Sequence, residues 1–334
     1  VATSNSAGAA VSPLKQGLNF YKGKTITFIV PSAAGSEYDI AARIVAPVIQ
    51  NYLHATVDVT DLATGASITG QDTLAGSSSD GLTIGMFETG GDISNLIQNL
   101  PGLNFNPVHE VMLGGPTNTV ELLVASPNSP YKTFKELQQN TVSTPARLLL
   151  QSTSASNILV RLFLKAFGIS ASRIYGFENS TAIESGFQNG DGNLDQLPVT
   201  TNEPLVQGKQ AIALYQDAKP PKNAPYHSLL AGVPDMSQVA AKYAVNTPSA
   251  KRALTLWRTF NTNSNVAIGG PAKISSSKVD ALRAAIQYAF TRPAVTAEFI
   301  AQGCPVGFTS GPAEKAGYVK DLAIVKPVAS ILGY

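Results

Sequence analysis

Residues able to carry covalent or metal chemistry are few in this chain. Three histidines and one cysteine occur in 334 residues, too little material for an ordinary zinc or iron–sulfur site. His54 follows a helical run, while His109 and His227 sit in loop-like stretches, and none has a nucleophile or carboxylate partner at motif spacing. Cys304 stands between Gly303 and Pro305 with no base nearby and reads as a small buried residue rather than a nucleophile. GxSxG, GxxxxGK[ST], HExxH and GxGxxG are all missing. Asp191-Gly-Asn193-Leu-Asp195 opens like a calcium loop. It has Gln196 where the loop needs glycine and Asn202 where it needs glutamate, so it reads as a polar turn. No metal, cofactor or catalytic residue is expected.

What remains is binding through backbone. The stretch Val30–Asp39, VPSAAGSEYD, joins the β-rich TITFIV to the helical DIAARIVAPVIQNYL. Small residues and a glycine at a helix N-terminus let an anion approach unpaired N–H groups that carry partial positive charge. Each charge-assisted bond to a carboxylate there contributes roughly 1.5–3 kcal/mol. The bland alternative is that Gly35 makes a turn and Ser36 starts a helix.

The surrounding elements alternate between strand and helix along almost the whole chain. Strands are expected at 25–31, 56–62, 82–87, 121–126, 148–151, 173–177, 211–215 and 266–269. Helices are expected at 39–53, 68–77, 93–99, 133–139, 157–168, 181–189, 250–260, 278–290, 294–302 and 314–332, with Gly168 a C-cap and Pro327 a kink. Such alternation implies open α/β sheets that bind ligands at the carboxyl ends of their strands. Five loops there are rich in Ser, Thr, Gly and Ala: PSAAGSEYD, ATGASITG, ETGGD, QSTSAS and FENST. Hydrophobic residues at 44%, charged residues at 14% and a net charge of +2 fit a compact globular chain and give no basic footprint for nucleic acid. No run approaches the roughly 18 apolar residues that would span a bilayer. The opening VATSNSAGAAVSP reads as the leader of a mature exported chain, poorly ordered to about Gly17.

In this setting FYKGKTITFIVPSAAGSEYDIAAR resembles the opening of the periplasmic solute receptors of tripartite tricarboxylate transporters, with their FYPxKPIxxxVPxxxGGxxDxxAR pattern. Further landmarks follow in order: Gly65-Ala66 with Gly70, Ser79–Thr83, Ser129–Leu137, Gly232-Val233-Pro234 and TRPAVTAEFIAQGCPVGFTSGPAE. The resemblance implies an α/β, two-lobed, periplasmic-binding-protein-like (type II) fold. It implies a leader at 1–17, a first lobe of 18–123 with 241–334, and a second lobe of 124–240. It implies a monomeric periplasmic receptor, not an enzyme, that clamps a small organic carboxylate and delivers it to a membrane permease. Its ligand residues would be Ser32, Ala33, Ala34, Gly35, Ser36 and Asp39 in the first loop, and Glu88, Thr89 and Gly90 after the third strand. In the second lobe they would be Gln151, Ser152, Thr153, Ser154 and Ser156, then Phe177, Asn179, Ser180 and Thr181. The chain departs from the family at Ser36 and Phe177–Asn179 and lacks glycines in 151–156. Glu37, Glu88, Asp92 and Glu178 fall on or beside these loops. Facing inward they would repel a dianion, so they are expected to be solvated outward charges. A ligand sensor for a signalling partner, or an enzyme on the same scaffold, are the competing functions.

Overall fold

The computed structural model describes residues 12–64, 67–98, 103–116, 120–151, 156–177, 180–220, 222, 224–263, 266–302 and 307–325. The chain begins with α1 (Pro13–Tyr21), β1 (Thr25–Val30), α2 (Glu37–Leu53), β2 (Thr56–Asp61), α3 (Ile68–Ala75), β3 (Thr83–Glu88), α4 (Thr89–Gln98) and β4 (Val111–Gly115). A second run follows: β5 (Glu121–Ala125), α5 (Phe134–Asn140), β6 (Ala146–Gln151), α6 (Ser156–Phe167), β7 (Ala171–Phe177), α7 (Ser180–Asn189), β8 (Leu194–Pro198), α8 (Val199–Gln207) and β9 (Ile212–Gln216). Then come α9 (His227–Leu230), α10 (Met236–Tyr243), α11 (Pro248–Asn263), β10 (Val266–Gly270), α12 (Ser276–Phe290), α13 (Pro293–Gln302), β11 (Thr309–Ser310) and α14 (Gly311–Val325).

These strands form two sheets, ordered β11-β4-β10-β3-β1-β2 and β7-β6-β8-β5-β9, each the centre of one lobe. In the first sheet β1 runs parallel to β2 and β3, while β10 is antiparallel to β3 and β4. In the second, β6 runs parallel to β7 and β8, while β5 is antiparallel to β8 and β9. Parallel strands end on one edge, so β1, β2 and β3 deliver α2, α3 and α4 to one edge of the first sheet. Likewise β6, β7 and β8 deliver α6, α7 and α8 to one edge of the second. That placement is what an α/β ligand cleft requires.

The first core gathers Phe28, Val30, Val45, Ile49, Ile84, Met86, Ile268 and Ile286 from the sheet, α2 and α12. The second sheet buries both faces by strand alternation. Leu122 and Val124 cluster with Ile183, Phe187 and Leu205 on the side of α7 and α8, while Leu123 and Ala125 join the core with α6 and α11. There Trp257, 1% exposed, meets Phe163, Phe167 and Tyr215 at centroid distances of 5.3–5.8 Å. Thus α11, inside the 241–334 segment, packs chiefly on α6 of the second lobe, with Trp257 reaching Tyr215 of β9, and β5, paired along its length with β8 and β9, crosses the 123/124 division.

Local signals hold well for α6. Gly168 takes φ +63°, and the Ile169 N–H donates to Leu164 O at 2.9 Å, a Schellman closure. Three expectations need correction. Residues 13–17 are helical, not a disordered leader: Ser12 caps α1 by accepting from the Lys15 N–H, Pro13 occupies the first turn, and Gly17 packs so tightly on α12 that a Cβ would lie 2.0 Å from Ser277 O. ETGGD is not a loop, because α4 starts at Thr89 directly from β3. The stretch 191–195 is not simply a polar turn, since β8 begins at Leu194 and Asp195 is 0% exposed within it. The expected kink at Pro327 lies outside the described residues.

Candidate functional site: the strand-to-helix edges

The first edge is built around the loop after β1. Gly35 holds φ +78°, a left-handed turn that glycine takes without strain. The Ser36 N–H donates to Ala33 O at 3.0 Å. Ser36 Oγ caps α2 by accepting from the Asp39 N–H at 3.3 Å, and Asp39 Oδ2 reaches back to accept from the Gly35 N–H at 2.7 Å. This is a capping box displaced by one residue. The Gly35 and Ser36 amides, and the Asp39 carboxylate, are therefore engaged within the loop itself. Asp39 is 4% exposed and its other oxygen lies 2.5 Å from Arg43 Nε, while Arg43 Nη2 meets Asp61 Oδ2 at 2.8 Å. Burial and the adjacent Asp39 raise the Asp61 carboxyl above the usual carboxylate range, partly offset by Arg43. With Glu37 and Asp39 in its first turn, α2 already compensates part of its own positive end. Ser32 and Ala33 are half-buried, and Ala34 and Gly35 are exposed.

The next junction leans on this loop, and the one after it is tied to α3. A Cβ on Gly70 of α3 would stand 2.7 Å from Pro31 Cβ and 2.9 Å from Leu62 O, so α3 rests directly against the loop. Gln71 Nε2 donates to Asp92 of α4. Asp92 is 2% exposed, which corrects the expectation of a solvated charge: its carboxylate sits inside the lobe beside Tyr318. Burial, then Asp92, push the Tyr318 phenol above the tyrosine range. Thr89, 3% exposed, and Gly90 lie in the first turn of α4.

On the second edge Gln151 ends β6 opposite Phe177 of β7, and α6 and α7 start at Ser156 and Ser180. The Phe177 ring packs on α7, where a Cβ on Gly186 would lie 2.5 Å from Cε1. Ser180 is half-buried and Thr181 exposed. Ser152, Thr153, Ser154, Glu178, Asn179, Gly65, Ala66 and Cys304 lie outside the described residues. The sequence reading missed the third junction here, where α8 leaves β8 with no loop and Pro198 supplies no side-chain cap. Its signal was the pair Leu194 and Leu197 before PVTTNEPLVQ, obscured by Asp195 and Pro198. Asn202 in α8 is fully buried and its Nδ2 donates to Leu122 O at 2.8 Å.

The connecting stretches at these edges, PSAAGS, LATGAS, STSA and EN, contain no Lys, Arg, His or Cys. Such edges offer helix N-termini, hydroxyls and backbone, which suits holding a ligand.

No protein-family model matches the chain, and no curated protein does either. Solved structures do match over nearly its full length. BugD, a periplasmic binding protein, is 16% identical, with 94% of this chain and 99% of that one covered and a TM-score of 0.73. Rpa4515 of R. palustris, solved with adipate, is 16% identical, with 93% and 97% covered and a TM-score of 0.71. MatC (Rpa3494) from Rhodopseudomonas palustris, solved with bound malate, is 15% identical, with 92% and 99% covered and a TM-score of 0.71. This chain has the two-lobed α/β fold of these binding proteins.

Proposed function

We propose that this chain is a periplasmic solute receptor of the tripartite tricarboxylate transporter kind. It closes on a small organic carboxylate between its lobes and hands it to a membrane permease. The observation that carries this reading is the pair of sheet edges, each ending three parallel strands in helix N-termini joined by small hydroxyl- and glycine-bearing stretches. The malate and adipate bound to proteins of the same fold support a diacid of about that size. The first-lobe contact is Ser32–Ser36 with the start of α4 at Thr89 and Gly90. The second-lobe contact is Gln151–Ser156 with Phe177–Thr181. Asp39 supports the first contact rather than touching the ligand. The lobes divide between β4 and β5 and again between α11 and β10, since β4 and β10 belong to the first sheet and β5 to the second. No helix among the described residues is long and apolar enough to cross a membrane.

A thermal-shift screen against malate, adipate, benzoate and putrescine tests this. A ligand at 100 times its Kd stabilises the native state by about 2.7 kcal/mol, so malate or adipate should raise Tm clearly. Small-angle scattering should show compaction with the same compound, since closure requires a ligand that favours the closed state. A response to putrescine alone would reject the carboxylate reading.

A further inference from the structure

We propose that Arg43 and Asp61 are positioning residues. Through Asp39 they set the Gly35 amide and the backbone of the first loop, and they lock that loop to the end of β2 as one pre-formed half-site. The proposal rests on the reading of residues 32–36 as a ligand loop.

The chain of contacts is continuous. Asp61 closes β2, and its Oδ2 lies 2.8 Å from Arg43 Nη2. The Arg43 Nε lies 2.5 Å from Asp39 Oδ1, and Asp39 Oδ2 accepts from the Gly35 N–H at 2.7 Å. One planar guanidinium thus holds two carboxylates on different elements, a task for which a lysine ammonium lacks the fork. The Arg43 side chain is 51% exposed while those of Asp39 and Asp61 are 6% and 19% exposed, so the guanidinium reaches in from the surface and compensates two largely buried carboxylates while fixing their relative position. The same two strand ends are also tied by backbone, since the Leu62 N–H donates to Val30 O at 2.7 Å. Charge points the same way. Without the guanidinium, Asp39 would stand one turn into α2 as an uncompensated anion behind a loop meant to receive another anion. Arg43 neutralises that carboxylate and aims it at Gly35.

Amide NMR on the ¹⁵N-labelled full chain reads Gly35 directly and needs no ligand. In the wild type the Gly35 proton should lie downfield and exchange slowly, because it donates to a buried carboxylate. Arg43→Gln should move it upfield and speed its exchange at least tenfold, and Arg43→Lys should not restore it. Asp61→Asn, which keeps the inner pair, should give an intermediate shift and serves as the test if Arg43→Gln does not fold. Arg252→Gln removes the same charge from an exposed position on α11 and should leave Gly35 unchanged. An unaltered Gly35 shift and exchange rate in Arg43→Gln would overturn the proposal, since Asp39 would then hold the loop unaided. Calorimetry with malate forms a separate arm, in which Arg43→Gln should weaken binding at least tenfold. Failure of the wild type to bind malate would count against the ligand reading, while the Gly35 result would still decide the positioning role.

Discussion

Replacing Asp195 by asparagine should flatten the decline of stability as pH rises. Asp195 is fully buried in β8, and β8 packs under α7 and α8. Burial, then the charge of Glu184, drive its carboxyl well above the ordinary value of 3.8. Asn202 offsets part of that push. Its Nδ2, however, is committed to Leu122 O at 2.8 Å, and neither Asp195 oxygen has a hydrogen bond of good geometry among the described residues. A carboxyl raised in the folded state contributes in full below its unfolded pKa. As pH rises above that value the unfolded chain releases its proton first, so stability falls until the folded pKa is reached. Each pH unit in that window costs about 1.4 kcal/mol. Asparagine has no proton to release, so Asp195→Asn should match the wild type most closely near pH 4 and gain on it by about 1.4 kcal/mol per pH unit until the folded pKa is reached, with no further gain beyond it. Urea unfolding from pH 4 to pH 8 can follow this through the emission of Trp257, the single tryptophan of the chain, buried in the same lobe. Stability curves that run parallel over the whole range would mean that Asp195 is ionised and hydrated in the native state, and the reasoning would be refuted.

Two further substitutions probe the parts that position the site. Gly70→Ala should cost about 1–3 kcal/mol and weaken malate binding, because the added Cβ meets the backbone of Pro31 and the Leu62 carbonyl at 2.8 and 2.9 Å. Thermal denaturation with calorimetry would show this, and a neutral result would mean that α3 does not brace the first loop. Trp257→Ala should cost about 3–5 kcal/mol in urea unfolding monitored by circular dichroism. A loss below 1 kcal/mol would show that α11 is not integral to the second lobe's core.

The alternation of strand and helix, the cap at Ser36 and the close at Gly168 were legible in the sequence, because each rests on contacts within a few residues. TITFIV is rich in β-branched and aromatic residues, its polar neighbour is a short turn, and the helical run after it carries apolar residues at helical spacing, so β1, its loop and α2 follow from local chemistry. The ordered series of family landmarks extended that reading to two lobes. What the tertiary structure alone decided depends on residues far apart in the chain. Residues 13–17 of the expected leader join α1 where Gly17 seats on Ser277 and Ala281 of α12, and no local propensity encodes that contact. The segment LDQLP becomes a central strand because β5 and β6 flank it, which places Asp195 where water cannot reach. Helix α11 follows the second lobe in space because Trp257 finds Phe163, Phe167 and Tyr215. Most consequential for the site, Asp39 looked in sequence like a ligand residue. The fold sets Asp61 beside Arg43, and the pair turns the Asp39 carboxylate onto its own loop. Sequence nominated the residues for a ligand, whereas long-range packing and charge pairing decided which of their polar groups were already taken.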